Sequence, residues 1–372
     1  MSAAPLLVNM EPTLTFPVIR GLQAKREYFV AMWTLRTLRQ ISIFDERELP
    51  PELRAQRVLN RGRIPEIAGY ILDNPDDYVF SALTVSIDSQ VSFEPLPGQD
   101  KLGQLKVPMD AKFIINDGQH RRAAIIEALE QRPELAHETI AVVFFLDINL
   151  ARCQQMFADL NRYAIRPSRS IGLLYDHRND KAALAKLVVI ESPLFRDIVD
   201  MEKTSLARRS RKLFTLSALY NACADLVQDL ANGDIKHDAD MARDFWDETA
   251  KHFPIWEQVQ LGRLPASEVR DGYIHGHGIA LQSLGKAGNA LLKANPKSGW
   301  RARLPALAKI DWSRGNSALW EGRAMIGGKI SKVTTNITLT TNIIKQALGL
   351  PLDEEEARIE AAYGKGKTKR KK

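Results

Sequence analysis

The chain has 372 residues, 45% of them hydrophobic and 26% charged, a globular composition on a length that exceeds one usual core, so two domains or one elaborated domain are expected. The lack of any run of about 18 apolar residues excludes a membrane-spanning helix, and Met1 to Phe16 lacks the basic start and apolar core of a signal peptide. Cys153 and Cys223 stand far apart in no C-x-x-C pattern, which argues against a disulfide framework or zinc finger and fits a reducing cytoplasm. Both fall in helical apolar patterns and read as buried structural thiols. The formal charge of +7 is unevenly placed, because removing the six cations between Lys365 and Lys372 takes it to +1. A nucleic-acid face must therefore come from local clusters.

In chain order, Tyr28, Ala31, Met32, Leu35 and Leu38 predict a helix over Arg20 to Ile41. After the Pro50–Pro51 break, Ile64, Ile67, Ala68 and Ile71 predict a short helix from Arg63 to Leu72 that stops at Asn74–Pro75. Tyr78 to Ile87 has strand composition, with Val91 to Phe93 as a pairing partner and a turn at Pro95 to Gly98. Lys112 to Ile115 and Ile140 to Leu146 read as buried strands, and Arg121 to Leu129 and Leu150 to Leu160 as helices. Beyond Ser168 helical patterns dominate: Leu213 to Leu230, Asp240 to Val259 with a break at Pro254, Ile279 to Ala294, and Thr335 to Leu348. The expected organisation is an α/β domain over residues 10–165, a mainly α-helical domain over 166–350 and a disordered basic tail over 351–372.

The segment Phe113-Ile-Ile-Asn-Asp-Gly-Gln-His-Arg-Arg carries the chemistry. A buried strand ends at Ile115, Asn116 or Asp117 can cap the following helix, and Gly118 permits a tight turn with close approach of a ligand. First-turn N–H groups carry partial positive charge, so His120, Arg121 and Arg122 at that end are unfavourable unless an anion sits there. Backbone donors with arginine suit a phosphate. The competing reading is that Asp117 and Arg121 pair with each other or with neighbouring loops.

The D-G-Q-H-R run Asp117 to Arg121, the Phe157-Ala-Asp159-Leu-Asn161 run and Asp311-Trp312-Ser-Arg314 together resemble the DGQHR family associated with DNA phosphorothioation, over most of residues 10–350. The turn is also similar to the G-G-C-H-R turn of sulfiredoxin and the G-E-R-R turn of ParB, which implies a mixed sheet of that kind and a nucleotide-phosphate pocket. Gln119 stands where sulfiredoxin has its catalytic cysteine, so that chemistry is excluded.

The resemblance implies a DNA-binding transcriptional regulator of a sulfur-modification system. Its pocket would use Gly118, Gln119, His120, Arg121, Arg122 and Asn161 for a nucleotide, ATP with or without Mg2+. The alternative is a DNA-stimulated ATPase in which Asp117, His120 and Asp159 are catalytic. Arg162, Arg166 and Arg169, and the cluster Arg208, Arg209, Arg211 and Lys212, are the expected DNA contacts, against the blander reading of solvated loops. His275 and His277 lack a cysteine or acidic partner at metal-site spacing, so no metal is expected. Expected partners are duplex DNA and other proteins of the system, not a membrane, with homo-oligomer formation left open.

Overall fold

The computed structural model describes residues 12–40, 59–146, 150–162, 167–295 and 299–370. It divides into two compact units, Met1–Ile165 and Arg166–Lys372.

The first unit is built on a mixed seven-stranded sheet. Its strands are β1 (Thr13–Gln23), β2 (Arg26–Thr34), β3 (Leu83–Asp88), β4 (Ser92–Leu96), β5 (Gln99–Pro108), β6 (Lys112–Asp117) and β7 (Thr139–Phe145). Their spatial order is β4-β5-β1-β2-β7-β3-β6. The β3–β7 pair is parallel, and the other pairs are antiparallel. The helices are α1 (Leu35–Gln40), α2 (Ile64–Asp73), α3 (Gln119–Gln131) and α4 (Leu150–Arg162).

The helix expected over Arg20 to Ile41 is a β-hairpin that gives way to helix only at Leu35. Phe29, Ala31 and Trp33 are buried while Met32 is exposed, a period of two that the spacing of Tyr28, Ala31, Met32 and Leu35 concealed. The aromatic and β-branched content of β2 suits a strand, and its pairing with β1 and β7 on either side decides the matter. Ala24 and Lys25 form the hairpin turn with φ of 49° and 63°, a conformation usually signalled by Gly or Asn. A second correction concerns β4, which pairs with β5, a strand without a strong signal of its own, rather than with β3. The rings of Phe16, Trp33, Phe113 and Phe144 fill the core below the sheet, with Trp33 and Phe144 centroids 5.2 Å apart.

The second unit is mainly helical. It contains α5 (Arg169–Tyr175), α6 (Asp180–Glu191), α7 (Phe195–Ile198), α8 (Leu216–Leu226), α9 (Ile235–Ala250), α10 (Pro254–Gln260), α11 (Ala266–Gly272), α12 (Gly278–Ala294), α13 (Ser317–Trp320), α14 (Thr334–Ala347) and α15 (Glu354–Arg370). Two-residue strands β8 (Val199–Asp200) with β9 (Phe214–Thr215), and β10 (Met325–Ile326) with β11 (Lys329–Ile330), complete it. The buried helix α12 approaches α8 so closely that a Cβ on Gly285 would strike the Ala222 carbonyl. Pro254 breaks α9 from α10, and Phe253 stacks on Trp256 at 4.6 Å within a core that also holds Trp246 and Trp320.

Within the stretch 351–372, expected as a disordered tail, Glu354–Arg370 forms α15, and Lys371 and Lys372 lie outside the described residues. Glu354, Glu355 and Glu356 begin that helix and the basic residues end it, the arrangement that complements the helix dipole. Buried Lys345 donates to Glu356 at 2.6 Å, buried Arg323 pairs with Glu360, and the Tyr363 hydroxyl donates to the Glu321 carbonyl at 2.8 Å. A sequence of charges that looks solvated is held by partners on α14 and on the segment that follows α13.

Candidate functional site

β6 sends Phe113 and Ile115 into the core and ends at Asp117, and α3 follows with Ala124, Ile125, Ala128 and Leu129 buried. Gly118 joins them at φ 101°, a left-handed conformation that favours glycine. A Cβ there would strike the Leu83 side chain at the start of β3. The strand–turn–helix expected from the sequence is thus formed, and Gly118 is required both for its dihedral and for its space.

The capping differs from expectation. Gly118 is the cap residue of α3, and no side chain caps the helix. Asn116 is buried instead, donating to Ser86 Oγ at 2.7 Å and to Met156 Sδ at 3.1 Å. Asp117 turns to Arg121, one helical turn on, and forms an ion pair. The first turn of α3 is left with its positive end uncapped, the condition under which an anion is favoured.

The arginines, however, are engaged by protein. Arg121 donates through Nη1 to the Ser81 carbonyl at 2.5 Å, to Ser81 Oγ at 2.6 Å and to the Ala82 carbonyl at 2.9 Å, while Nη2 meets Asp117. Its guanidinium clamps the approach to β3 onto α3. Arg122 donates to the Leu38 carbonyl at 3.2 Å, and burial lowers its pKa. Gln119 reaches back to the Ile115 carbonyl at 3.4 Å. His120 accepts at Nε2 from the Asn60 backbone N–H at 3.0 Å, which makes its other nitrogen the proton carrier. Burial first, and then the charge of Arg63, hold the His120 pKa below its ordinary value.

Asn60, Arg63 and Ser81 are therefore part of this turn's surroundings, although the sequence reading missed them. Asn60 caps the single 3-10 turn Arg61–Arg63 through its side chain. The one local hint was that Arg-Gly-Arg run, some 60 residues before His120.

Asp159 is exposed, accepts from Gln155 at 2.7 Å, and lines a separate cavity of about 200 Å3 beside the β1–β2 hairpin with Arg26, Glu27 and Phe145. His120 meets Asn60 rather than Asp159. Asn161 and Arg162 lie in the last turn of α4 with side chains outside the described residues, and Arg166 lies outside them altogether. Among the described residues no group of three or more His, Cys, Asp or Glu stands ready to hold a metal.

In the helical unit, Arg169 donates to Asn221 at 3.0 Å and lies over the Tyr220 ring. Arg208, Arg209 and Arg211 are exposed on the loop before β9, and Arg208 makes a long 3.5 Å pair with Asp271 at 86% and 61% side-chain exposure. Lys212 differs from its neighbours, donating to the carbonyls of Arg196 at 3.4 Å and Asp197 at 2.7 Å, so it holds the loop down. His275 is buried against Tyr273 and accepts from the Trp256 indole at 3.1 Å, whereas His277 meets the Arg270 carbonyl at 2.6 Å. Cys223 is buried, and burial pushes its thiol up to about 12, the behaviour of an inert packing group.

An α/β unit carrying a D-G-Q-H-R turn, followed by a helical unit with an exposed arginine loop, defines a two-part α/β-plus-helical protein. The DndB family model, described as DNA-sulfur modification-associated, matches residues 16–351, and the chain belongs to that family. Comparison with curated proteins and with solved structures yields no match. No helix among the described residues is long and apolar enough to cross a membrane.

Proposed function

We propose that the protein binds duplex DNA and acts as the transcriptional regulator of a DNA sulfur-modification system, together with other proteins of that system. Membership of the family supports the system. The observation that carries the DNA reading is the exposed run Arg208, Arg209 and Arg211, where among the described residues the carboxylate contact is the long 3.5 Å pair of Arg208 with Asp271. Exposed guanidinium groups on a loop fixed by Lys212 are suited to duplex phosphates.

The α3 turn adds an anion site to this reading. A nucleotide phosphate there would meet the uncapped N–H groups, with His120 and Arg63 nearby, while Arg121 stays with Ser81, Ala82 and Asp117. The ATPase alternative draws less support, since Asp117 is occupied by Arg121 and Asp159 faces another cavity. Duplex retention measured against salt, with and without ATP, together with an assay of phosphate release, tests both. Salt-sensitive retention without turnover is the expected result, and turnover accelerated by DNA would overturn it in favour of the enzyme.

A further inference from the structure

Two sequence motifs left without a role above meet in the helical unit. Tyr273-Ile-His-Gly-His-Gly278 and Asp311-Trp-Ser-Arg314 are tied together where the Ile274 N–H donates to the Trp312 carbonyl at 2.8 Å and the Arg314 N–H donates to the Gly272 carbonyl at 2.9 Å. Beside this junction lies a cavity of about 480 Å3, lined by Arg208, Arg270, His277, Gly278, Arg314 and Lys332 among others. That volume is in the range of small-ligand sites.

The charge around the cavity is poorly neutralised. Arg270 donates to the carbonyls of Lys212 at 2.5 Å, Ala207 at 3.1 Å and Arg208 at 3.0 Å, and Arg314 donates to those of Arg270 at 3.0 Å and Gly328 at 2.9 Å. Carbonyl acceptors fix the guanidinium groups in place but cancel none of their charge. Asp271 is the acid lining the cavity, and it lies with Arg208 at the exposed edge. Among the described residues Lys332 has no hydrogen-bond or ion-pair partner. Lys332 is exposed, and a Cβ on Gly278 would strike its ammonium, so that ammonium lies over the first residue of the 17-residue helix α12, at the positive end of the dipole.

We propose that this cavity is a phosphate-binding site in which Lys332, Arg314 and Arg208 hold the oxyanion at the start of α12. The Arg314 guanidinium held by carbonyls, the exposed Arg208 guanidinium at the rim, the Lys332 ammonium and helix N–H groups form a donor set that suits a tetrahedral oxyanion. The phosphate is carried either by a free phosphorylated molecule of nucleotide size or by a DNA strand. The site is built from residues of the second unit alone and does not depend on any ligand at the α3 turn.

The test is calorimetric titration of the full-length protein with inorganic phosphate, with AMP and with a short duplex, all at fixed ionic strength. Lys332→Ala is compared with wild type and with Lys181→Ala, an exposed charge-matched control on α6. Lys332→Ala should fold with equal or higher thermal stability and weaken binding about tenfold, the worth of one charge-assisted hydrogen bond. Weakening for phosphate and AMP with duplex affinity unchanged identifies a free phosphorylated ligand. Parallel weakening for duplex identifies the strand phosphate. Affinities for all three that Lys332→Ala leaves at the control's level would overturn the proposal, whatever becomes of DNA binding by the neighbouring loop.

Discussion

Asp117 and Arg121 close on each other one helical turn apart, with Arg121 at 16% and Asp117 at 47% side-chain exposure, and their pairing stands where a phosphate-gripping arginine was expected. Arg121 serves the fold first. Arg121→Ala strips the Ser81 and Ala82 carbonyls and the Asp117 carboxylate of their donor, and should cost about 2–4 kcal/mol in chemical denaturation. Asp117→Asn acts at the half-exposed partner and should cost about 1 kcal/mol or less. Equal stability of Arg121→Ala and wild type would show that the clamp is not what holds α3 to β3.

Arginine-to-alanine changes at Arg208, Arg209 and Arg211 should weaken duplex binding for all sequences alike. Each should also lower the slope of log affinity against log salt by about one unit per lost phosphate contact. Lys212→Ala should behave differently, loosening the loop through the lost Arg196 and Asp197 contacts and lowering thermal stability. Filter binding across a salt series, alongside melting curves, separates the two effects. An unchanged slope in the triple arginine variant would make the loop a solvated surface.

The two histidines of the Tyr273–Gly278 motif predict a pH dependence. Burial pushes both His275 and His277 down to about 4, and the charges of Arg314, Lys332 and Arg270 add to the effect on His277. The unfolded chain then takes up protons near pH 6.5 that the folded chain refuses until about 4. Their contribution to stability is therefore complete above pH 6.5 and falls as pH drops through that window, by about 1.4 kcal/mol per pH unit for each histidine. His275→Asn, which keeps an acceptor for the Trp256 indole, should flatten the profile of unfolding free energy between pH 7 and 5. A profile as steep as that of wild type would place the protons elsewhere.

Removing the acidic partners of α15 should expose the cost of buried charge. Arg323 and Lys345 are each 8% exposed, and they are balanced by Glu360 and Glu356. Glu360→Ala leaves Arg323 buried without its counter-charge and should cost about 3–5 kcal/mol. Truncation after Leu352 should cost at least as much, which a disordered tail would not do. Both are read from urea unfolding midpoints.

The sequence by itself determined the elements whose signals are local. The α2 stop at Asn74, the strand–turn–helix across Gly118, the Pro254 break and the apolar faces of α12 and α14 all follow from spacing, glycine or proline chemistry and periodicity within about a dozen residues. The D-G-Q-H-R turn was legible for the same reason. What only the tertiary structure decided is what each charge and each ambiguous run meets. Arg20 to Thr34 reads as helix until β1, β2 and β7 pair, because non-local hydrogen bonds outweigh a weak local preference. Arg121 reads as a phosphate ligand until Ser81 and Ala82 reach it from 40 and 39 residues away. Arg314, Lys332 and Arg208 are unremarkable in sequence, and only the packing of α11, α12 and the loops around them brings those charges to one cavity, since electrostatic environment is a property of distance in space and not along the chain.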